Sequence, residues 1–123
     1  MVTVPGFLLR RLYVKGSLKS TPDGFQFSLK NTLGSGYARK MRPLSLDGQE
    51  LPMEGGFFET DGKTIAFAEV SEQQPFTLVL NKTIVIRVNG KPLEPGPHKI
   101  GMAFDVPGLG TLSFDFTDVV QQS

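Results

Sequence analysis

The sequence predicts an all-β fold: a single-domain antiparallel β-sandwich, with a small closed β-barrel as the alternative. Three observations predict it. Apolar residues recur at every second position in several runs, Asp-Gly or Asn-Gly pairs separate those runs, and no stretch carries a convincing helical pattern. The 123 residues suffice for one core, so one domain is expected over residues 1–123. Alternation is identical in a sandwich and a barrel, so it leaves both open.

Four pairs of turn-forming residues divide the chain, at Asp23-Gly24, Asp47-Gly48, Asp61-Gly62 and Asn89-Gly90. Aspartate and asparagine tolerate a positive φ and glycine has no Cβ, so such pairs favour tight hairpin turns. Prolines mark other strand ends, because a missing N–H costs no ladder hydrogen bond there. The strands predicted in chain order are 7–18, 23–31, 37–47, 56–60, 63–70, 76–80, 82–89, 97–106 and 110–118.

The alternation also indicates which face of each strand is buried, because successive side chains of a strand point to opposite faces. The apolar faces are Phe25, Phe27 and Leu29; Ile84, Ile86 and Val88; Ile100, Met102, Phe104 and Val106; and Leu112, Phe114 and Phe116. Residues 107–110 (PGLG) are expected to join the last two strands as a hairpin. At 63–70 the alternation of Ile65 and Phe67 favours a strand, with a short helical turn at 71–74 as the competing interpretation.

Composition narrows the functional classes. The chain has no cysteine, which removes disulfide and thiolate chemistry and fits a reducing, cytoplasmic location. No apolar run approaches the about 20 residues of a membrane helix, and residues 1–14 carry no pattern of an export signal. A net charge of +1 and a pI of about 8.0 do not favour nucleic acid as a partner. None of the glycine-rich pieces precedes a helix, so no cofactor is expected.

Charge is distributed unevenly along the chain. Residues 1–42 hold eight Lys or Arg and one acidic residue, whereas the remainder holds five basic and eleven acidic residues. Such a two-signed molecule can pair head to tail with itself or with a partner. The favoured interpretation is that the charges lie on solvated strand faces, as charged side chains usually do.

The histidine His98 lies in the stretch EPGPHKIGMAF, at the start of a predicted strand. It shares a face with Ile100, Met102 and Phe104, so it is expected at the rim of the core. A histidine titrates near neutrality and can act as an acid, a base or a ligand. No second histidine and no cysteine is present, so no metal site is expected and His98 is only a weak catalytic candidate.

Three carboxylates lie close together in the sequence: Asp105, Asp115 and Asp118. Asp105 and Asp115 are on the outward faces of two strands that a hairpin joins, so they can approach each other. Two neighbouring carboxylates would raise one pKa or recruit a hard cation such as calcium. The spacing fits no calcium-binding loop, and two acids on a solvated face are the favoured interpretation.

Two segments are candidate interaction surfaces. Tyr37, Arg39 and Arg42 interleave an aromatic ring with basic side chains, a pattern that can bind another macromolecule. Phe57 and Phe58 are adjacent, so both faces of their strand would be apolar, and this pair is expected to be exposed. An exposed aromatic pair usually marks a contact with another chain.

Further residues carry a resemblance to a known family. From Tyr37 the chain reads YARKMRPLSLDGQELP, and from Thr83 it reads TIVIRVNGKPLEPGPHKIGMAF. These stretches, over about residues 37–105, resemble the small β-rich subunits of bacterial C-glycoside deglycosidases and related small β proteins. The resemblance implies a β-sandwich subunit that binds a larger, metal-dependent barrel subunit carrying the catalytic centre. It also implies a tight corner before a strand, capped by His98 and built from Leu93, Pro95 and Gly96. The N-terminal stretch resembles stand-alone small β proteins of unassigned function, some with a reductase label.

Three functional hypotheses follow. The first is a non-catalytic interaction module, either a homo-oligomer or the small subunit of a larger, C-glycoside-cleaving assembly, with Tyr37, Arg39, Arg42, Phe57, Phe58 and His98 at the interface. The second is a stand-alone binder of a small apolar or sugar-like ligand in a Phe-lined interior. The third is a small enzyme that uses His98 with a nearby carboxylate.

Overall fold

The computed structural model describes residues 4–60, 62–90 and 92–121. It is a sandwich of two antiparallel sheets, which confirms the predicted fold class, and across these residues neither sheet closes into a barrel. The helical elements are α1 (Gly6–Leu9) and 3₁₀ turns at Arg10–Leu12, Met53–Gly55 and Phe67–Glu69. The strands are β1 (Lys19–Thr21), β2 (Gly24–Lys30), β3 (Gly36–Ala38), β4 (Lys40–Met41), β5 (Ser45–Leu46), β6 (Gln49–Glu50), β7 (Gly56–Thr60), β8 (Lys63–Ala66), β9 (Phe76–Leu78), β10 (Thr83–Asn89), β11 (Pro97–Val106) and β12 (Gly110–Val119).

The first sheet has the strand order β1-β2-β10-β7-β8. Ile86 of β10, its central strand, lies opposite Phe27 of β2 on one side and Phe58 of β7 on the other. All three side chains are buried. A slip of one residue would turn the whole apolar face of a strand to solvent, so this face fixes the register.

The second sheet has the order β12-β11-β5-β6, and β4 also pairs with β11. The long β11–β12 hairpin runs from Pro97 opposite Val119 to Val106 opposite Gly110, which confirms the predicted hairpin at 107–110. A two-stranded ribbon of β3 and β9 lies beside these sheets, with Tyr37 opposite Thr77.

Aromatic rings join the two sheets. Of the ten phenylalanines, all in the described part of the chain, eight are buried. Phe27 of the first sheet meets Phe116 of the second with ring centroids 5.1 Å apart. Phe76 lies 4.7 Å from Phe58 and 6.0 Å from Phe104 in edge-to-face arrangements, which aromatic rings favour. The core is therefore a continuous layer between the sheets.

The predicted strand at 7–18 is wrong, because this segment contains α1 and the 3₁₀ turn that follows it. Leu9 and Leu12 are both buried, and their spacing of three residues suits a helical turn rather than a strand. Arg10 Nε donates a hydrogen bond to the Asp115 carbonyl oxygen at 2.6 Å, so the segment lies along β12. No helix in the described residues is long and apolar enough to cross a membrane.

Other predicted ranges are broken into shorter pieces. The range 37–47 holds parts of three short strands, and the strand predicted at 63–70 ends at Ala66, where a 3₁₀ turn carries Phe67 into the core. Residues 71–74 form a turn rather than a helical segment.

The turn signals also have mixed outcomes. The turn predicted at Asp47-Gly48 is confirmed: both residues have positive φ and connect β5 to β6. Asn89-Gly90 ends β10 without forming a hairpin, since the next strand, β11, belongs to the other sheet. Asp61 lies outside the described residues.

The end of the described chain returns to the first sheet. The Gln121 N–H donates to the Leu18 carbonyl at 2.8 Å, and the Ser20 N–H donates to the Gln121 carbonyl at 3.1 Å. This parallel bridge beside β1 joins the β12 end of one sheet to the β1 edge of the other.

Candidate functional site

His98 lies at the start of β11 between two acceptors. Its Nδ1 is 2.8 Å from Oδ2 of Asp47, and its Nε2 is 2.7 Å from the carbonyl oxygen of Glu94. The side chain is 14% exposed, which places it at the rim of the sandwich. Asp47 also accepts the Lys99 N–H at 2.8 Å through Oδ1. His98 therefore links the β5–β6 turn to the loop that precedes β11.

This arrangement favours the doubly protonated ring. A carbonyl oxygen can only accept, so Nε2 carries a proton, and an ionised Asp47 draws a proton to Nδ1 as well. The hydrogen bond to Asp47, followed by that to the Glu94 carbonyl, raises the pKa of His98. The Lys99 N–H and then His98 lower the pKa of Asp47. With both nitrogens donating, the ring has no lone pair for general-base catalysis in this arrangement.

We predict that the stability contributed by His98 depends on pH. Its raised pKa means that this contribution is complete below the unfolded value of 6.5 and is lost as pH rises through the folded value. His98→Gln is therefore expected to cost about 1 kcal/mol of unfolding free energy at pH 5.5 and clearly less at pH 9. Urea titrations at the two pH values measure this difference. Glu54→Gln is the control, because Glu54 is exposed and is not among the groups that raise the pKa of His98; a pH-independent cost of His98→Gln would contradict the prediction.

Asp105 and Asp115 do not lie side by side, as the sequence allowed. Asp115 lies opposite Gly101 in the β11–β12 register and Asp105 lies opposite Thr111, so four residues of strand separate them. Each has its own partner. Arg42 binds both oxygens of Asp105 at 3.2 and 3.0 Å, Arg10 contacts Asp115 at 3.4 Å, and the Tyr13 hydroxyl donates to Asp118 at 2.7 Å. Among the described residues no three His, Cys, Asp or Glu side chains form a group that could hold a metal ion.

The uneven charge of the sequence is partly balanced inside the molecule. Three arginines of the basic N-terminal part pair with acids from the acidic part: Arg10 with Asp115, Arg39 with Glu72 at 3.5 Å, and Arg42 with Asp105 at 3.0 Å. Arg39 and Arg42, two predicted interface residues, are therefore engaged within the chain.

The predicted exposed pair Phe57-Phe58 is wrong for Phe58. Phe58 is 1% exposed, in the core, while Phe57 points to the other side of β7 and is partly buried. β7 therefore has one fully buried face, as in an ordinary sandwich. The Phe57 ring on its other face is partly covered and does not form an exposed aromatic pair with Phe58.

A different group of apolar side chains is exposed. We call Leu33, Tyr37, Val79 and Leu80 the apolar patch; their side chains are 40–47% exposed. They lie on two segments that pair with each other: Gly36 and Tyr37 of β3 lie opposite Leu78 and Thr77 of β9. The Leu80 N–H also donates to Ser35 Oγ at 3.2 Å.

Sequence reasoning found Tyr37 but missed its three neighbours. The signal is the run FTLVL at 76–80, in which Phe76 and Leu78 are buried and both Val79 and Leu80 are exposed. The strand ends at Leu78, so the two apolar residues that follow it directly have no place in the core. No comparable run marks Leu33.

Asn31 fixes one of these segments. It is buried, and its side-chain amide donates to the carbonyls of Gly34 at 2.6 Å and Leu78 at 2.8 Å. Its Oδ1 accepts the N–H groups of Leu33 at 3.1 Å and Gly34 at 3.2 Å. The amide nitrogen and the amide oxygen of Asn31 therefore each bind two backbone groups. These bonds hold the loop that carries Leu33 against the strand end that carries Val79 and Leu80.

Comparison with known proteins identifies the family. The family model described as hydroxymethylglutaryl-CoA reductase, N-terminal domain, matches residues 8–121. No curated protein matches the chain significantly. The expected relationship to C-glycoside deglycosidase subunits is wrong, because the matched range includes all of residues 37–105 on which it rested. The motifs that carried that resemblance consist mainly of turn residues. Unrelated antiparallel sheets need the same turn residues, so such motifs do not identify a family. The chain belongs to the hydroxymethylglutaryl-CoA reductase N-terminal domain family.

Proposed function

We propose that the chain is a non-catalytic interaction module that binds a protein partner through the apolar patch. The observation that carries this proposal is the grouping of Leu33, Tyr37, Val79 and Leu80 on two paired segments. Isolated exposed apolar residues are common on protein surfaces, but grouped ones usually mark a contact. Tyrosine is also among the residues enriched at interfaces.

The local structure supports binding without reorganisation. Asn31 holds the loop at 31–35 by four hydrogen bonds, and β3 pairs with β9. A surface that is ordered before it binds loses less conformational entropy on association. The groups considered for catalysis support the same proposal, since His98, Asp105 and Asp118 are each engaged by partners within the chain.

The family name indicates which partner to test first. It describes the N-terminal domain of a hydroxymethylglutaryl-CoA reductase. We therefore infer that the partner is the catalytic part of such a reductase, with a second copy of this chain as the competing outcome. The absence of cysteine fits a reducing compartment, so we place this interaction in the cytoplasm.

The test is a binding measurement with a charge-bearing patch variant. Purified chain and a hydroxymethylglutaryl-CoA reductase catalytic region are mixed and their complex is measured by sedimentation velocity and native mass spectrometry. Tyr37→Lys combined with Leu80→Lys is expected to weaken the complex tenfold or more, because lysines would be desolvated in an apolar contact. Phe7→Lys combined with Val119→Lys is the matched control, since these side chains are equally or more exposed and lie outside the patch.

Four outcomes decide the proposal. Loss of the complex in the patch variant alone supports it. Equal binding by the patch variant and the wild type contradicts it, as does a wild type that is monomeric with and without the reductase. If the wild type forms a concentration-dependent homodimer that the patch variant abolishes, the apolar patch is the interface but its partner is a second copy of this chain.

A further inference from the structure

A cavity of about 190 Å³ opens at one end of the sandwich. It lies between the N-terminal helical segment, the loop at 33–36 and the tip of the β11–β12 hairpin. Buried apolar side chains line its inner part, and Leu33 and Tyr37 lie at its exposed rim. The inner lining consists of Leu9, Leu12, Leu78, Phe104 and Leu112, with Val4, Val106 and Leu109 partly buried around them.

Two polar side chains of the lining already have partners, and the third, Tyr37, lies at the exposed rim. Asn31 directs both ends of its amide at backbone groups, and Ser35 Oγ accepts the Leu80 N–H. No Asp, Glu, Lys, Arg or His side chain lines the cavity among the residues the structure describes. A charged ligand would lose its hydration there and gain no ion pair, so the cavity selects against charge.

The volume limits the size of a ligand. A cavity of about 150 Å³ with an apolar lining of this kind can bind benzene or xenon, whereas pockets for drug-sized ligands start at about 300 Å³. The volume of about 190 Å³ therefore suits one ring or a short aliphatic chain.

The entrance is open to such a molecule. Gly34 and Gly36 lie in the lining, and a Cβ built on either would meet no atom within 4 Å. The loop that carries them is held in place by Asn31, so it does not collapse into the space behind it. An entrance bordered by glycines and an apolar interior are the features of a small preformed site.

We infer that this cavity is a binding site for a small uncharged apolar molecule, of the size of a benzene ring or a six-carbon chain. The inference does not depend on the proposed protein partner, because it is argued from the inner lining. Leu33 and Tyr37 belong both to the rim and to the apolar patch, so a partner bound at the patch would cover the entrance. The cavity is therefore tested in the chain alone. Its inner lining shares no residue with the patch.

The test uses benzene as the probe and methyl NMR of the full chain as the readout. Benzene is expected to give saturable shifts at the methyl groups of Leu9, Leu12, Leu109 and Leu112. Benzoate, which has the same ring and a negative charge, is expected to bind at least tenfold more weakly. Leu109→Phe adds volume at the partly buried edge of the cavity and is expected to weaken benzene binding at least tenfold. Ile65→Phe is the matched control, because Ile65 is partly buried outside this cavity.

Each outcome supports or contradicts the site. Saturable benzene binding that Leu109→Phe removes and Ile65→Phe keeps supports it. Shifts that stay linear in benzene concentration, or benzoate binding as strong as benzene, overturn it. If Leu109→Phe does not fold, pressurised xenon on the wild type replaces it, and the absence of a saturable bound xenon signal overturns the site. A last outcome concerns the reductase. If the wild type binds the reductase but not benzene, and Leu109→Phe abolishes reductase binding, the cavity holds a side chain of the partner and the small-molecule inference is overturned.

Discussion

Replacing Phe58 with alanine is expected to lower the free energy of unfolding by about 3–5 kcal/mol. The ring is 1% exposed and lies edge to face with Phe76 at a centroid distance of 4.7 Å. Removing it leaves a cavity between Phe76 and Ile86, which neighbouring strands can fill only in part. Since a domain of this size is stable by about 5–15 kcal/mol, the variant is expected near the limit of folding.

Phe57→Ala provides the comparison within the same strand. Its side chain is only partly buried on the other face of β7, so we expect a cost of about 1 kcal/mol. Urea unfolding followed by circular dichroism measures both variants, and Phe58→Leu is expected to recover part of the loss. A cost of about 1 kcal/mol or less for Phe58→Ala as well would contradict the burial of Phe58 and would restore the exposed aromatic pair that the sequence predicted.

Asn31→Ala is expected to cost about 2–4 kcal/mol of unfolding free energy and to release the loop at 32–35. The substitution removes four hydrogen bonds and leaves the Leu78 carbonyl, which lies in a buried setting, without this donor. An unpaired buried carbonyl costs about 1–3 kcal/mol, and the lost loop contacts add to that.

The two effects of Asn31→Ala can be measured separately. Urea unfolding gives the stability, and amide hydrogen exchange gives the opening of Leu33 and Gly34, which should exchange faster than in the wild type. Asn89→Ala, at an exposed position, is the control for losing an asparagine. Asn31→Asp keeps one acceptor but turns an acceptor-only oxygen toward the Gly34 and Leu78 carbonyls in a buried setting, so it should cost at least as much as alanine at neutral pH. Unchanged exchange at Leu33 would show that other contacts hold the loop.

The fold was predictable where local pattern and tertiary structure agree. In β10, β11 and β12 the alternating residues are the buried ones, because each strand has the core on one side only. The helical form of the N-terminal segment was not predictable, because Phe7, Leu8 and Leu9 are consecutive apolar residues that fit a strand as well as a turn of helix. Its helical form depends on packing against β12, which no local pattern reveals.

The candidate site was less predictable because it depends on register. His98 could be placed at the rim from its own strand, but its partner Asp47 lies 51 residues earlier and reaches it only because β5 pairs with β11. The predicted approach of Asp105 to Asp115 was wrong for the same reason. A hairpin brings together residues that are equally far from its turn, and these two aspartates lie at different distances from it. Phe58 shows a third limit: a pair of adjacent aromatics does not say which ring faces the core.

The bridge between Gln121 and β1 has a consequence for how the chain reaches its fold. Tyr13 binds Asp118 and Arg10 binds Asp115, each across 105 residues, so the first and last segments complete each other. Contacts this distant in sequence form late and slow the folding of small domains. During synthesis the chain cannot complete β1 and the N-terminal turn until residue 121 has left the ribosome, and the unfinished domain exposes its phenylalanines for that time. Folding on the ribosome is therefore expected to finish abruptly, once the last segment can meet the first.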